Sequence, residues 1–148
     1  MKGYWDDPER TSDAVQNGWM HTGDLATIDD EGYCRIIGRS KDMLIRGGEN
    51  VYPAEIEEFL ITHPNISQAQ VFGLPDPKYG EEVAVWIILQ SGAKMTEDEL
   101  RDWCRGKIAH YKVPRYVCFV EEMPMTVTGK PQKFIMREQM IKSLELVN

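Results

Sequence analysis

Three polar stretches of this 148-residue sequence hold residue types suited to chemistry. The first is His21-Thr22-Gly23-Asp24, an acid beside a glycine ahead of an apolar run. An ionised carboxylate there offers two acceptor oxygens to a pair of hydroxyl donors. The second is Gly38-Arg39-Ser40-Lys41-Asp42, a charge cluster leading towards Gly47-Gly48-Glu49-Asn50. The third is Thr126-Val127-Thr128-Gly129-Lys130, where an ammonium on a flexible stem can meet an anion. Taken singly, ordinary structural roles account for each: a turn acid, a solvated cluster, an exposed loop lysine. Gly129-Lys130 does not complete a phosphate-binding P-loop, because Pro124 stands where its first glycine would be. The Gly47-Gly48 stretch lacks a dinucleotide fingerprint as well. His21, His63 and His110 are far apart, and neither Cys-x-x-Cys nor His-Glu-x-x-His occurs, so no metal site is expected.

The elements that position these residues can be read in order. Asp7-Pro8-Glu9 opens a short helix that Gln16-Asn17-Gly18 ends. A hairpin follows, Leu25 to Ile28 and Tyr33 to Ile37. Met43 to Arg46 and Val51-Tyr52 are short strands about a turn at Gly47–Asn50, whose glycines supply positive φ. Pro53 starts a helix with Ile56, Phe59 and Leu60 on its apolar face. Ile66 to Leu74 reads as a strand, Pro75-Asp76-Pro77 as a turn, and Val83 to Leu89 as a central buried strand. Thr96 to Glu99 is a capping box, with Met95 and Leu100 spaced as a hydrophobic staple. The helix it opens is expected to bury Leu100, Trp103, Cys104 and Ile108. Tyr116 to Val120 is another strand, and a last helix carries Met136, Met140, Ile141 and Leu144 on one side. Strands joined by short turns and interspersed with helices indicate a small α+β domain, with a domain boundary at Gly38–Asp42.

Composition excludes several classes. The net charge of −7 argues against binding nucleic acid, which needs a surplus of Lys and Arg. With 42% hydrophobic residues and four Trp, the chain is too apolar for disorder. Its longest apolar run, Val83 to Leu89, is far too short to span a bilayer. The start lacks a secretory signal pattern. Cys34, Cys104 and Cys118 each fall in an apolar pattern, which suggests buried free thiols in a reducing compartment, here the cytoplasm.

The order and spacing of the three stretches add what none gives alone. Thr22-Gly23-Asp24, then Gly38-Arg39-x-x-Asp42-x-x-Ile45-x-x-Gly48-x-Asn50-Val51-x-x-x-Glu55-Ile56-Glu57, then Pro124-x-Thr126-x-x-Gly129-Lys130 resemble the adenylate-forming superfamily. Its members include AMP-forming acyl-CoA synthetases, amino-acid adenylation domains and beetle luciferases. The run from Gly38 to Pro53 is most similar to fatty-acid and related acid–CoA ligases. The resemblance extends from about Gly3 to Leu144 and covers only the C-terminal part of such an enzyme.

The resemblance implies an architecture and a set of roles. Residues 1–40 would be the end of a large N-terminal adenylation domain, contributing a β-hairpin tail. Residues 41–148 would be a mobile lid with a short β-hairpin and a three-stranded sheet flanked by helices. Asp24 and Arg39 would meet the ribose of ATP or AMP, Lys41 would be the hinge, and Lys130 would be the catalytic lysine of adenylation. Gly47, Gly48, Glu49 and Asn50 would line the pantetheine tunnel. The implied reaction joins a carboxylic acid to CoA through an acyl-adenylate, with ATP accompanied by Mg2+, and needs the large domain, so the chain alone is expected to be inactive. Basic residues such as Arg46, Lys107, Lys112 and Arg115 suit CoA phosphates and equally suit plain solvation. Two alternatives stay open: another acceptor, a carrier protein or oxygen, or a free-standing module that binds CoA, a nucleotide or a protein. Without a large domain, Trp5, Trp19 and Met20 lose their support, and self-association of the chain is one expected consequence.

Overall fold

A computed structural model describes residues 1–146. The chain divides into two units, Met1–Lys41 and a second that starts at Asp42. In the first, helix α1 (Pro8–Ala14) is capped by Asp7, whose side chain accepts from the Arg10 N–H, with Pro8 in the first turn. Two hairpins follow. Strands β1 (Val15–Gln16) and β2 (Trp19–Met20) pair about Asn17-Gly18, both at positive φ. The α1 helix therefore stops at Ala14, and the Asn-Gly pair makes the tight hairpin turn that needs positive φ twice, rather than a helix cap. Strands β3 (Asp24–Ile28) and β4 (Cys34–Arg39) form the second hairpin, with a register shift between Leu25 and Ala26.

The second unit is built on one five-stranded sheet, β5 (Leu44–Arg46), β6 (Glu49–Val51), β7 (Ile66–Asp76), β8 (Gly80–Leu89) and β9 (Tyr116–Phe119). β8 is central, antiparallel to β7 and parallel to β9. The three expected strands do pair with one another. The β5–β6 hairpin is not separate from them but joins β8 through the single pair Arg46↔Gly80. Glu49 and Asn50 lie in β6, so the turn is Gly47-Gly48 alone.

Alternation of side chains divides the core between the two sheet faces. Val71 on β7 and Val83, Val85 and Ile87 on β8 join Ile56 and Leu60 of helix α2 (Pro53–Leu60) and Leu100 and Cys104 of helix α3 (Glu97–Cys104). Phe72, Leu74, Ala84 and Trp86 instead join Met136 and Met140 of helix α4 (Lys133–Leu144). A strand buried on both faces requires the unbroken apolar run that its sequence shows.

The capping box forms as its spacing requires: Thr96 Oγ1 accepts from the Glu99 N–H at 3.2 Å, and Glu99 Oε2 from the Thr96 N–H at 2.7 Å. Four expectations are corrected. α3 ends at Cys104, so Ile108 packs on the core from the following loop. β7 runs through Pro75 to Asp76, which an edge strand tolerates because no neighbour needs the missing N–H. Leu144 is exposed at the end of α4. Cys34 is exposed on its hairpin, while Cys104 is buried and Cys118 half-buried.

Candidate functional site

In the first unit, Asp24 opens β3 directly opposite Arg39, the last residue of β4. The hairpin mouth is closed by the Ser40 N–H donating to the Gly23 carbonyl at 2.9 Å, and Thr22 Oγ1 accepts from the Asp24 N–H at 3.1 Å. These bonds set the Asp24 carboxylate 3.3 Å from Arg39 Nε. The pair is solvent-facing, with Asp24 one-third exposed, so the carboxylate keeps acceptor capacity for an incoming diol. Lys41 is the last residue of this unit.

In the second unit, Lys130 stands in a short braced loop. Met125 and Pro131 pair across its stem, and the Gln132 N–H donates to the Pro124 carbonyl. Thr126 organises the tip: its N–H donates to the Lys130 carbonyl at 2.8 Å and its Oγ1 accepts from the Lys130 N–H at 3.0 Å. Gly129, at φ +78°, makes the reversal. The loop root is tied to α2, because Lys133 Nζ lies 2.7 Å from Glu57 Oε1, which also accepts from the Val71 N–H. The Lys130 ammonium is exposed and makes no ion pair among the described residues.

Gly47 and Gly48 form the two-residue β5–β6 turn at φ +59° and +90°. The Gly47 N–H donates to the Tyr79 carbonyl at 2.9 Å, and a Cβ on Gly47 would meet the Tyr79 ring at 3.1 Å. Glu49 and Asn50 are exposed beside the turn. Next to it lies an open pocket of about 290 Å3 rich in arginine, which joins the expected basic candidates Arg46 and Arg115 to two arginines that the sequence did not single out. Arg46, Arg101, Arg105 and Arg115 reach it, with Tyr79 and His110. Within it the Arg46 guanidinium grips Glu82 by two bonds, at 2.7 and 2.8 Å, and lies over the Tyr79 ring. The Glu82 bond, opposed by burial, raises the Arg46 pKa further. Asp76 accepts from the Tyr79 and Lys78 N–H groups and faces Arg115, which together hold its carboxyl below the usual range. The signal available in the sequence was Glu81-Glu82 directly ahead of a buried strand, a place where a charge needs a partner.

Of the other basic candidates, Lys112 is bound to Glu55 at 2.6 Å and Lys107 lies over the Trp103 ring. No group of three or more His, Cys, Asp or Glu side chains among the described residues could hold a metal ion. No helix there is long and apolar enough to cross a membrane.

Comparison with known proteins agrees with this architecture. The sequence profile of the AMP-binding enzyme C-terminal domain matches residues 55–130. The chain is 54% identical, over 99% of its length, to the mitochondrial medium-chain acyl-CoA ligase of Rattus norvegicus, of which it spans 24%. It superimposes on ATP-bound MatB from Rhodopseudomonas palustris with a TM-score of 0.86 at 39% identity, covering 93% of this chain and 28% of that one. The amide bond synthetase McbA of Marinactinospora thermotolerans gives 0.88 at 39% identity, covering 94% and 29%. The chain thus spans about a quarter of the length of the relatives it matches. Sheet, flanking helices and sequence agree, and the chain belongs to the AMP-binding enzyme C-terminal domain family.

Proposed function

We propose that this chain is the C-terminal part of an ATP-dependent, AMP-forming ligase that joins a fatty or related carboxylic acid to CoA. The carrying observation is the 54% identity, across nearly the whole chain, to a medium-chain acyl-CoA ligase. In this reading residues 1–40 complete a large adenylation domain, and residues 41–148 are a lid that turns about Lys41. Exposed Trp5, Trp19 and Tyr33 then have a large domain to pack against; without it they favour self-association. Three free thiols are in keeping with a reducing compartment such as the cytoplasm.

Two steps follow. The substrate carboxylate attacks the α-phosphorus of ATP and pyrophosphate leaves. The Lys130 ammonium bridges attacking and phosphoryl oxygens, offsetting the charge they share. The Asp24 carboxylate accepts from the ribose hydroxyls, and Arg39 stays beside it. Mg2+ would accompany ATP as the counter-ion of its phosphates. In the second step the CoA thiol attacks the acyl carbonyl and AMP leaves. The Gly47-Gly48 turn and the neighbouring Glu49 and Asn50 let the pantetheine arm pass close to backbone. Of the arginines around the pocket, the more exposed Arg105 and Arg115 suit the CoA phosphates.

The test grafts the whole chain in place of the matching quarter of the rat ligase. The graft should form medium-chain acyl-CoA and AMP. Lys130→Ala should lower acyl-AMP formation by about two orders of magnitude or more. Conversion of preformed acyl-AMP by CoA should largely survive. An inactive graft, or equal loss in both steps, refutes the assignment. A second reading changes only the acceptor, and the likeness to an amide bond synthetase favours keeping it in view. Turnover with an amine and without CoA would select it.

A further inference from the structure

We propose that Glu82 is a positioning residue for thiol transfer, holding the Gly47-Gly48 turn in place through Arg46. The proposal rests on the ligase reading above. Among the described residues, Glu82 is the one charged residue that is fully buried, at 1% exposure. Burying a carboxylate costs several kcal/mol before pairing, and an apolar side chain of similar size would pack at less cost. A charge kept there needs a use other than stability.

Geometry indicates that use. Glu82 Oε1 and Oε2 each take one bond from Arg46, at 2.7 and 2.8 Å. Such a two-pronged contact fixes orientation as well as distance. Arg46 directly precedes Gly47, so fixing its side chain fixes the entry to the turn. Little else does. β5 meets β8 at one residue pair, and the turn is two glycines, the most flexible residues available. Among the described residues, the other ties to β8 and its approach are the Gly47 N–H to the Tyr79 carbonyl, the Arg46 guanidinium over the Tyr79 ring and the Ile45 N–H to Glu81. Arg46 spends one edge of its guanidinium on Glu82 and lies over the Tyr79 ring, which suits it to bracing the turn. The Lys130 loop depends on a different pair, Lys133 with Glu57. Loss of Glu82 should therefore impair one half-reaction and spare the other, which a general structural role would not do.

The experiment uses the rat-ligase graft that carries the whole chain. With Glu82→Gln, kcat/KM for CoA in the conversion of preformed acyl-AMP should fall about tenfold to a hundredfold, the scale of an ångström-sized misplacement. CoA-independent acyl-AMP formation should stay within about twofold. The single variant leaves Arg46 unpaired and is prone to unfold, so the double variant Arg46→Met/Glu82→Leu is measured beside it. Removing both charges leaves no buried charge unpaired, because Arg115, 3.6 Å from Glu82, keeps its bond to Asp76, and the same split is expected. An unchanged CoA step, or equal loss in both steps in the folded double variant, overturns the proposal. An unsubstituted graft inactive in both steps would instead overturn the ligase reading.

Discussion

Gly73 carries no positive φ, yet the fold leaves no room for a side chain there. It lies in β7 opposite Val83. A Cβ at this position would come within 2.6 Å of Glu81 Oε1 and 2.7 Å of Leu44 Cδ2. The two neighbours differ in freedom. The Glu81 carboxylate ends a half-buried side chain and can swing away, but it then loses the Ile45 N–H, worth about 1 kcal/mol. Leu44 is 5% exposed and packed in the core, so it moves only by opening its surroundings. Forcing one extra carbon into such a site costs about 1–3 kcal/mol. Better strand behaviour of alanine returns roughly 0.5–1 kcal/mol. Gly73→Ala should therefore destabilise the chain by about 1–3 kcal/mol and lower Tm by roughly 3–13 °C. Urea and thermal unfolding followed by circular dichroism measure this. The sharper test is a double-mutant cycle. Leu44→Ala alone should cost about 2–5 kcal/mol. In Leu44→Ala/Gly73→Ala the new methyl has space, so the combined cost should fall short of the sum by about 1 kcal/mol or more. Strict additivity, or a Gly73→Ala protein as stable as the parent, would refute the steric reasoning.

Three further perturbations have defined outcomes. Thr96→Ala removes half of the α3 capping box and should cost about 1 kcal/mol near pH 7. Hydrogen bonds from the Thr96 N–H and hydroxyl hold the Glu99 carboxyl below its usual range, so that stabilisation is complete above the unfolded pKa and lost as pH falls through the folded one. The gap between parent and variant urea midpoints should narrow in acid by the share of the Thr96 hydroxyl–Glu99 bond, while the share of the Oγ1 cap on the Glu99 N–H should persist. Burial pushes the Cys104 thiol up to about 11. The unfolded chain therefore releases this proton first, and stability should decline as pH rises from the ordinary thiol range towards about 11. Cys104→Ala should flatten that decline, and an alkylating reagent at neutral pH should label exposed Cys34 well before Cys104. At Gly48 a Cβ meets nothing within 4 Å, so only its φ of +90° resists substitution. Gly48→Ala should cost about 1–2 kcal/mol, and Gly48→Asn less, since Asn accepts positive φ more readily; equal cost would contradict this.

What could be read from the sequence was what a few neighbouring residues decide. The Thr96–Glu99 box, the Asp7-Pro8 helix start and the Gly47-Gly48 turn each close on themselves within about five positions. The run Val83 to Leu89 also betrayed its place, because only a strand covered on both faces tolerates it. Two-residue strands such as β1 and β2 have no period to detect, so Asn17-Gly18 read as a helix end. Pro75 looked like a turn because its tolerance depends on β7 being an edge, a property of strand order rather than of local sequence. Glu82 is the extreme case. Read locally, Glu81-Glu82 is a polar lead-in to a strand. Its meaning appears only when β5 is laid against β8 and Arg46, 36 residues earlier, reaches it. The candidate residues divide in the same way. Asp24 and Arg39 face each other only because the register slips by one residue between Leu25 and Ala26, since straight counting sets Asp24 opposite Gly38, whereas Lys130 is displayed by a loop whose Thr and Gly hold it locally. The arginine pocket draws on β5, α3 and the segment before β9, and no spacing rule joins those. The loops that carry the candidate residues were legible, whereas the ion pairs that hold them, Arg46 with Glu82 and Lys133 with Glu57, span the fold and became visible only in it.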